Sequence, residues 1–154
     1  MNESWQATLE AAGARIEDGL VTDFGAPELE LAAAADGDIA ADLSHLGVLE
    51  VTGGDAGALI QGQFTNDIRE VEAGRSHLSA LCSPKGRILS AGRVLATDNG
   101  YHIVLPRETL APTLKRLNLF KLRSDAQLRD ASEDWVLLGA QGPAATAALA
   151  GGGA

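Results

Sequence analysis

Two turn signals fix the middle of this 154-residue chain. Thr97-Asp98-Asn99-Gly100 separates the strand-like runs Ile88–Ala96 and Tyr101–Leu105, and an Asn-Gly pair between alternating runs is a strong hairpin signal because both residues accept the positive φ that such turns need. Ser83-Pro84-Lys85-Gly86 stands between a run ending at Cys82 and the one starting at Ile88. Proline presets the second position of that turn and glycine suits the last. Strands joined so tightly run antiparallel.

The same phase extends upstream. Leu46, Val48 and Glu50 alternate with Gly47, Leu49 and Val51, which predicts a strand buried mainly on one face. Leu78, Ala80 and Cys82 alternate with His77, Ser79 and Leu81 in the next. Between them, Ala56, Leu59, Ile60 and Phe64 have the spacing of a core-facing helical stripe. Asp55 is expected to cap that helix, and Thr65, Asn66 and Asp67 to end it.

The flanks are plainer. Trp5, Leu9, Ala12 and Ile16 predict a helix near Glu3–Arg15. Leu20–Phe24 reads as a short strand ended by Gly25-Ala26-Pro27, and Glu28–Ala35 as a helical turn or two. Pro106 is placed to start a helix with Leu110, Leu114 and Leu117 as its buried stripe. Gln127–Arg129 and Trp135–Gly139 look like strands, and Pro143–Ala150 like a last helix dissolving into Gly151-Gly152-Gly153. The order β-α-β-β-β-α-β-β-α predicts an α+β fold, a mainly antiparallel sheet with helices on one face.

Composition removes several classes of function. The single thiol, Cys82, makes no internal disulfide and suggests a reducing compartment. It also excludes a self-contained iron–sulfur or zinc-thiolate centre, which needs several protein ligands. Twelve basic against 21 acidic residues give a formal charge of −9, which repels a phosphate backbone unless cations gather. Lys115, Arg116, Lys121 and Arg123 do lie close together, as a solvated helix face or as an anion or RNA contact. No direct nucleic-acid binding is expected. No run approaches the roughly 20 apolar residues that cross a bilayer, and the start lacks the order of a signal peptide. A cytoplasmic protein without a membrane partner is the expectation.

Few residues carry obvious chemistry. His45, His77 and His102 are not at metal-ligand spacing, and no phosphate loop, nucleophile elbow or dinucleotide glycine motif occurs. Gln61 and Gln63 admit two readings. Neutral amides suit edge hydrogen bonds to a flat heterocycle, and they equally satisfy backbone at a helix end. Lys85 and Arg87 flank the tight turn, facing either a carboxylate tail or water.

Taken in order, several segments are distinctive: Asp42-Leu43-Ser44-His45-Leu46-Gly47, Leu59-Ile60-Gln61-Gly62-Gln63-Phe64-Thr65-Asn66-Asp67-Ile68, Gly74-Arg75, Pro84-Lys85-Gly86-Arg87-Ile88 and Leu138-Gly139-Ala140-Gln141-Gly142-Pro143. Over about residues 40–150 they resemble the superfamily of the glycine-cleavage T-protein, an aminomethyltransferase. Within it they look most like the YgfZ branch of folate-binding proteins that maintain iron–sulfur enzymes. The resemblance implies a T-protein-like N-terminal domain over residues 41–154. Residues 1–40 would be an N-terminal segment of the first folate-binding subdomain. The chain looks truncated before the second half, where the branch carries its Lys-Gly-Cys-Tyr-x-Gly-Gln-Glu signature.

Tetrahydrofolate or a derivative is the implied ligand, in a pocket expected to be incomplete in this chain. Iron–sulfur enzymes, tRNA-modifying ones among them, or their assembly proteins are the implied partners. Alignment through the Pro-Lys-Gly turn puts Leu46, Ser90, His102 and Val104 at folate-pocket positions, beside Gln61, Gln63 and Lys85. The resemblance also places the T-protein's acidic pair at Leu89 and Ser90. With no carboxylate there to serve at the folate nitrogen, a non-catalytic binding protein is expected; the alternatives are a folate-dependent aminomethyltransferase and an interaction domain without ligand. The apolar groups of Trp135–Gly139 and the last helix are expected to be exposed.

Overall fold

A computed structural model of the protein describes residues 2–151. In chain order the elements are α1 (Glu3–Ala11), β1 (Arg15–Glu17), β2 (Leu20–Asp23), α2 (Pro27–Asp36), β3 (Ile39–Asp42), β4 (Leu46–Thr52), α3 (Ala56–Gln61), β5 (Ser76–Cys82), β6 (Ile88–Thr97), β7 (Gly100–Pro106), α4 (Arg107–Lys121), β8 (Gln127–Asp130), β9 (Leu138–Gln141) and α5 (Pro143–Gly151). Single 3-10 turns fall at Ile68–Glu70 and Ser132–Asp134. The expected α+β class with antiparallel sheets is the one observed. The chain forms two compact units, one from residues up to Ser44 and again from Glu133, the other from His45 to Ser132.

In the first unit, polar side chains set two of the helix starts. Asn2 Oδ1 accepts from the amides of Ser4 and Trp5 at 2.9 and 3.2 Å, and so sets the start of α1. This helix stops at Ala11, four residues earlier than the stripe predicted. Ile16 belongs instead to β1, which pairs with β2. Asp18 and Gly19 turn that hairpin with φ of 51° and 76°, an Asp-Gly signal that the sequence reading passed over. Strand β9 starts at Leu138, so Trp135–Leu137 are not strand as expected, and it pairs with β3, a strand not foreseen. Asp38 Oδ1 accepts from Ala144 and Ala145 at the start of α5. Trp135, Val136 and Leu138 are half exposed, as expected; the side chain of Leu149 and the glycine end from residue 152 lie outside the described residues.

The second unit is an antiparallel sheet in the order β5-β6-β7-β4-β8. Both predicted turns are present, because Gly86 N donates to Ser83 O at 2.9 Å and the hairpin at Thr97–Gly100 pairs its strands without a shift. Alternation then sorts the side chains. Leu49, Val51, Leu81, Val94, Ile103 and Leu105 turn to one face and form a core with Leu110 and Leu117 of α4 and Leu59 and Ile60 of α3. Both helices cover that inner face. A Cβ at Gly92 would strike Val104 O and the Leu105 side chain, so only glycine lets β6 and β7 close there.

Two local expectations fail. Asp55 makes no side-chain cap on α3; its Oδ2 accepts from Asp125 N at 2.8 Å, while Asp55 N donates to Asp125 O at 2.9 Å. The carboxylate ties two loops together instead. Helix α3 closes at Gln61 rather than at Thr65–Asp67, and Phe64 already bridges to Leu81. Pairing with the exposed edge of β5 wins over one more helical turn.

Candidate functional site

The sheet face opposite the helices is where three of the candidate residues meet. The register places Val104 beside Arg93 on one side and Val48 on the other. In the next row outward, His102 lies between Leu95 and Glu50, and Glu50 is followed by Arg129 on β8. On the other side of the Val104 row, Leu46 pairs with Pro106, and Ala91 with Ala80. The outer face therefore has a floor of small and branched apolar groups, Leu46, Ala80, Ala91 and Val104, bordered by a polar row.

That row is fixed by charge. Arg129 grips Glu50 with two hydrogen bonds, Nε to Oε1 at 2.7 Å and Nη2 to Oε2 at 2.9 Å, the bidentate fork that suits guanidinium and carboxylate. The His102 Nε2 stands 3.4 Å from Glu50 Oε2. The Arg129 hydrogen bond, assisted by His102 and opposed by partial burial, holds the Glu50 carboxyl below its ordinary value of 4.5. Sequence reading found His102 but missed Glu50, Arg129 and Arg93. Their signal was phase alone, since each occupies the strand parity of His102 or Val104.

The other candidates lie elsewhere. Ser90 has the parity of Val94 and turns to the inner face, 4% exposed, and its Oγ is buried without a hydrogen-bond partner. The fold does not bring it to Leu46, His102 and Val104. Gln61 Oε1 accepts from Ile68 N at 2.8 Å, and Gln63 Nε2 donates to Gly62 O at 3.1 Å, so both amides hold backbone. Thr65 and Asn66 do likewise for β5: Ala80 N donates to Thr65 Oγ1 at 3.1 Å and Asn66 Nδ2 to Leu78 O at 3.0 Å. Lys85 is exposed at the tip of the β5–β6 turn, where Arg87 N reaches Ser83 Oγ at 3.1 Å.

Two nearby cations have local partners. Arg69 holds the Asp67 carboxyl down to about 2 through side-chain and backbone hydrogen bonds. On α4 the Arg116 guanidinium lies 5.2 Å above the Phe120 ring. A hollow of about 450 Å³ in the first unit is lined by Val21, Phe24, Ala33, Ile39 and Ala41 among others, and holds none of the candidate residues. Among the described residues, no group of His, Cys, Asp and Glu could hold a metal ion, and no helix is long and apolar enough to cross a membrane.

An antiparallel sheet with two helices on one face is an arrangement that this chain shares with the N-terminal part of the T-protein fold. Residues 9–152 match the model of the GCVT N-terminal domain, and the chain belongs to that family. Similar curated proteins include the aminomethyltransferase of Bacillus subtilis, 30% identical over 109 residues, covering 70% of this chain and 30% of the relative. The tRNA-modifying protein YgfZ of Hamiltonella defensa is 33% identical over 107 residues, covering 70% of this chain and 32% of its own. The crystal structure of glycine cleavage system aminomethyltransferase T from Bartonella henselae superposes with a TM-score of 0.81 at 20% identity, over 98% of this chain and 43% of that one. The chain thus spans about a third of the length of these curated relatives.

Proposed function

We propose that the protein is a tetrahydrofolate-binding accessory protein that supports the assembly, repair or maintenance of iron–sulfur enzymes in the cytoplasm, tRNA-modifying ones among them. The observation that carries the binding half of this reading is the outer face of the sheet, where Leu46, His102 and Val104 come together around a small-residue floor that a flat heterocycle can lie on. The family match supports folate as that heterocycle. The non-catalytic half rests on β6, because Gly86–Thr97 contains no Asp or Glu in any phase. Leu89, Ser90 and Ala91 thus offer no carboxylate to assist proton transfer. The iron–sulfur role follows from likeness to the relatives named YgfZ and fits a chain whose one cysteine cannot hold a cluster.

Titration of tetrahydrofolate onto the protein, followed by calorimetry, is expected to give saturable binding, and no heat at millimolar ligand would refute the reading. An aminomethyl-donor turnover assay separates it from transferase activity, with no turnover expected.

The hydrogen bond from Ile68 N to Gln61 favours a second reading, a domain without ligand whose polar cluster serves only the fold. Gln61→Ala is expected to cost about 1 kcal/mol in stability. Unchanged tetrahydrofolate affinity in that variant would assign Gln61 to the fold, and weakened affinity would return it to the site.

A further inference from the structure

Arg93 is an outer-face cation that no carboxylate among the described residues neutralises. It sits on β6 between Leu78 and Val104, and its Nη1 donates to Ser76 Oγ at 2.9 Å. Three other arginines of the same unit have carboxylates: Arg69 pairs with Asp67, Arg75 with Glu72 and, on the outer face itself, Arg129 with Glu50. Among the described residues no carboxylate lies within ion-pair distance of Arg93. In a chain of net charge −9 an anionic ligand is repelled at long range, so a local unpaired cation is what admits one. The serine fixes one end of the guanidinium, so the ordering cost of a second, bidentate contact is reduced. Next to it the floor is flat, because Ala91 and Ala80 pair one step further along β6 and β5.

We infer that Arg93, positioned by Ser76, is a carboxylate subsite that receives the glutamate tail of a folate whose ring system lies on the Ala91–Val104–Leu46 floor. This rests on the folate reading above and deepens it, since it orients the ligand along β6 and gives the site a preference for a tailed pterin. Lys85 and Arg87 stand at the turn end of the same strand pair, and they are the competing position for the tail.

The test compares tetrahydrofolate with tetrahydropteroate, which lacks the glutamate, by calorimetric titration of the protein and its Arg93→Met, Arg93→Lys and Lys85→Gln/Arg87→Gln variants. Tetrahydrofolate is expected to bind about tenfold more tightly, the worth of a charge-assisted bidentate contact. Arg93→Met removes that margin, Arg93→Lys keeps part of it, and affinity for tetrahydropteroate stays unchanged. The margin also shrinks as salt is raised. Circular dichroism melts check that the exposed substitutions leave the fold intact. A margin that survives in Arg93→Met, or that is lost in the Lys85/Arg87 variant, overturns the subsite while the folate reading stands. Binding of neither ligand removes the folate reading and the subsite with it.

Discussion

Replacing Ser90 by alanine separates the position that alignment gives it from the position the fold gives it. In the structure its hydroxyl is buried on the helix-covered face, 4% exposed, with no hydrogen-bond partner. A buried hydroxyl without a partner costs about 1–3 kcal/mol of desolvation. Removing the oxygen also loses a few van der Waals contacts of about 0.1–0.2 kcal/mol each. The balance for Ser90→Ala is a gain of about 1 kcal/mol. With a urea slope of about 2 kcal/mol per molar, the unfolding midpoint rises by about 0.5 M. Trp5 and Trp135 both belong to the other unit, so tryptophan fluorescence reports the wrong transition. Far-UV circular dichroism of the sheet is the suitable probe. Tetrahydrofolate affinity is expected to be unchanged. A lower midpoint together with weakened binding would refute the face assignment and restore Ser90 to the ligand.

Carboxylates introduced along β6 sharpen the same contrast. Ser90→Asp buries an unpaired charge on the helix-covered face and is expected to cost more than about 3 kcal/mol. Ala91→Asp, on the exposed outer face, stays within about 0.5 kcal/mol, as urea titrations of the two variants will read. Glu50 makes stability depend on pH. Its carboxyl is held below 4.5, first by the Arg129 hydrogen bond, so its contribution is present above pH 4.5 and is lost as pH falls through the lowered value. Glu50→Gln is expected to flatten that acid limb in denaturation measured from pH 7 downward; an unchanged limb would show that the Arg129 pair contributes nothing to it.

The fold was largely legible because its signals are local. Two hairpin turns and the phase of four alternating runs define β4 to β7, and the leucines of α4 define the layer above them. What escaped was either very short or decided at a distance. Strand β1 has three residues, too few to show a period, although Asp18-Gly19 marked its turn. Strands β3 and β9 pair across nearly 100 positions, which no window along the chain can reveal. Asp55 looked like a cap because the residue type suits it, but the amide of Asp125, 70 positions away, takes its carboxylate. Of the candidate residues, Leu46, His102 and Val104 do share one face of the sheet. Ser90 does not: counting back from the Thr97–Gly100 hairpin puts it in the phase of Val94 and Ile103 rather than that of Val104. A motif alignment carries residue order, whereas facing depends on parity, and one position changes the face.

Parity also bears on whether this face could carry group transfer. The phase shared by His102 and Val104 does contain a carboxylate, Glu50, which the motif comparison did not suggest. A general base or acid at neutral pH works best with a pKa near the working pH, which for a carboxyl means raising it by burial or a like charge. Arg129 does the reverse, since its two hydrogen bonds and positive charge drive Glu50 lower. Both carboxylate oxygens are already occupied, so a ligand nitrogen would have to displace a charge-assisted bond before a proton could move. Glu50 is thus suited to orienting His102 and holding β8 to β4, and poorly suited to exchanging a proton with a bound pterin. Glu50 therefore does not supply the outer face with a carboxylate poised for proton exchange, as the proposed non-catalytic reading requires.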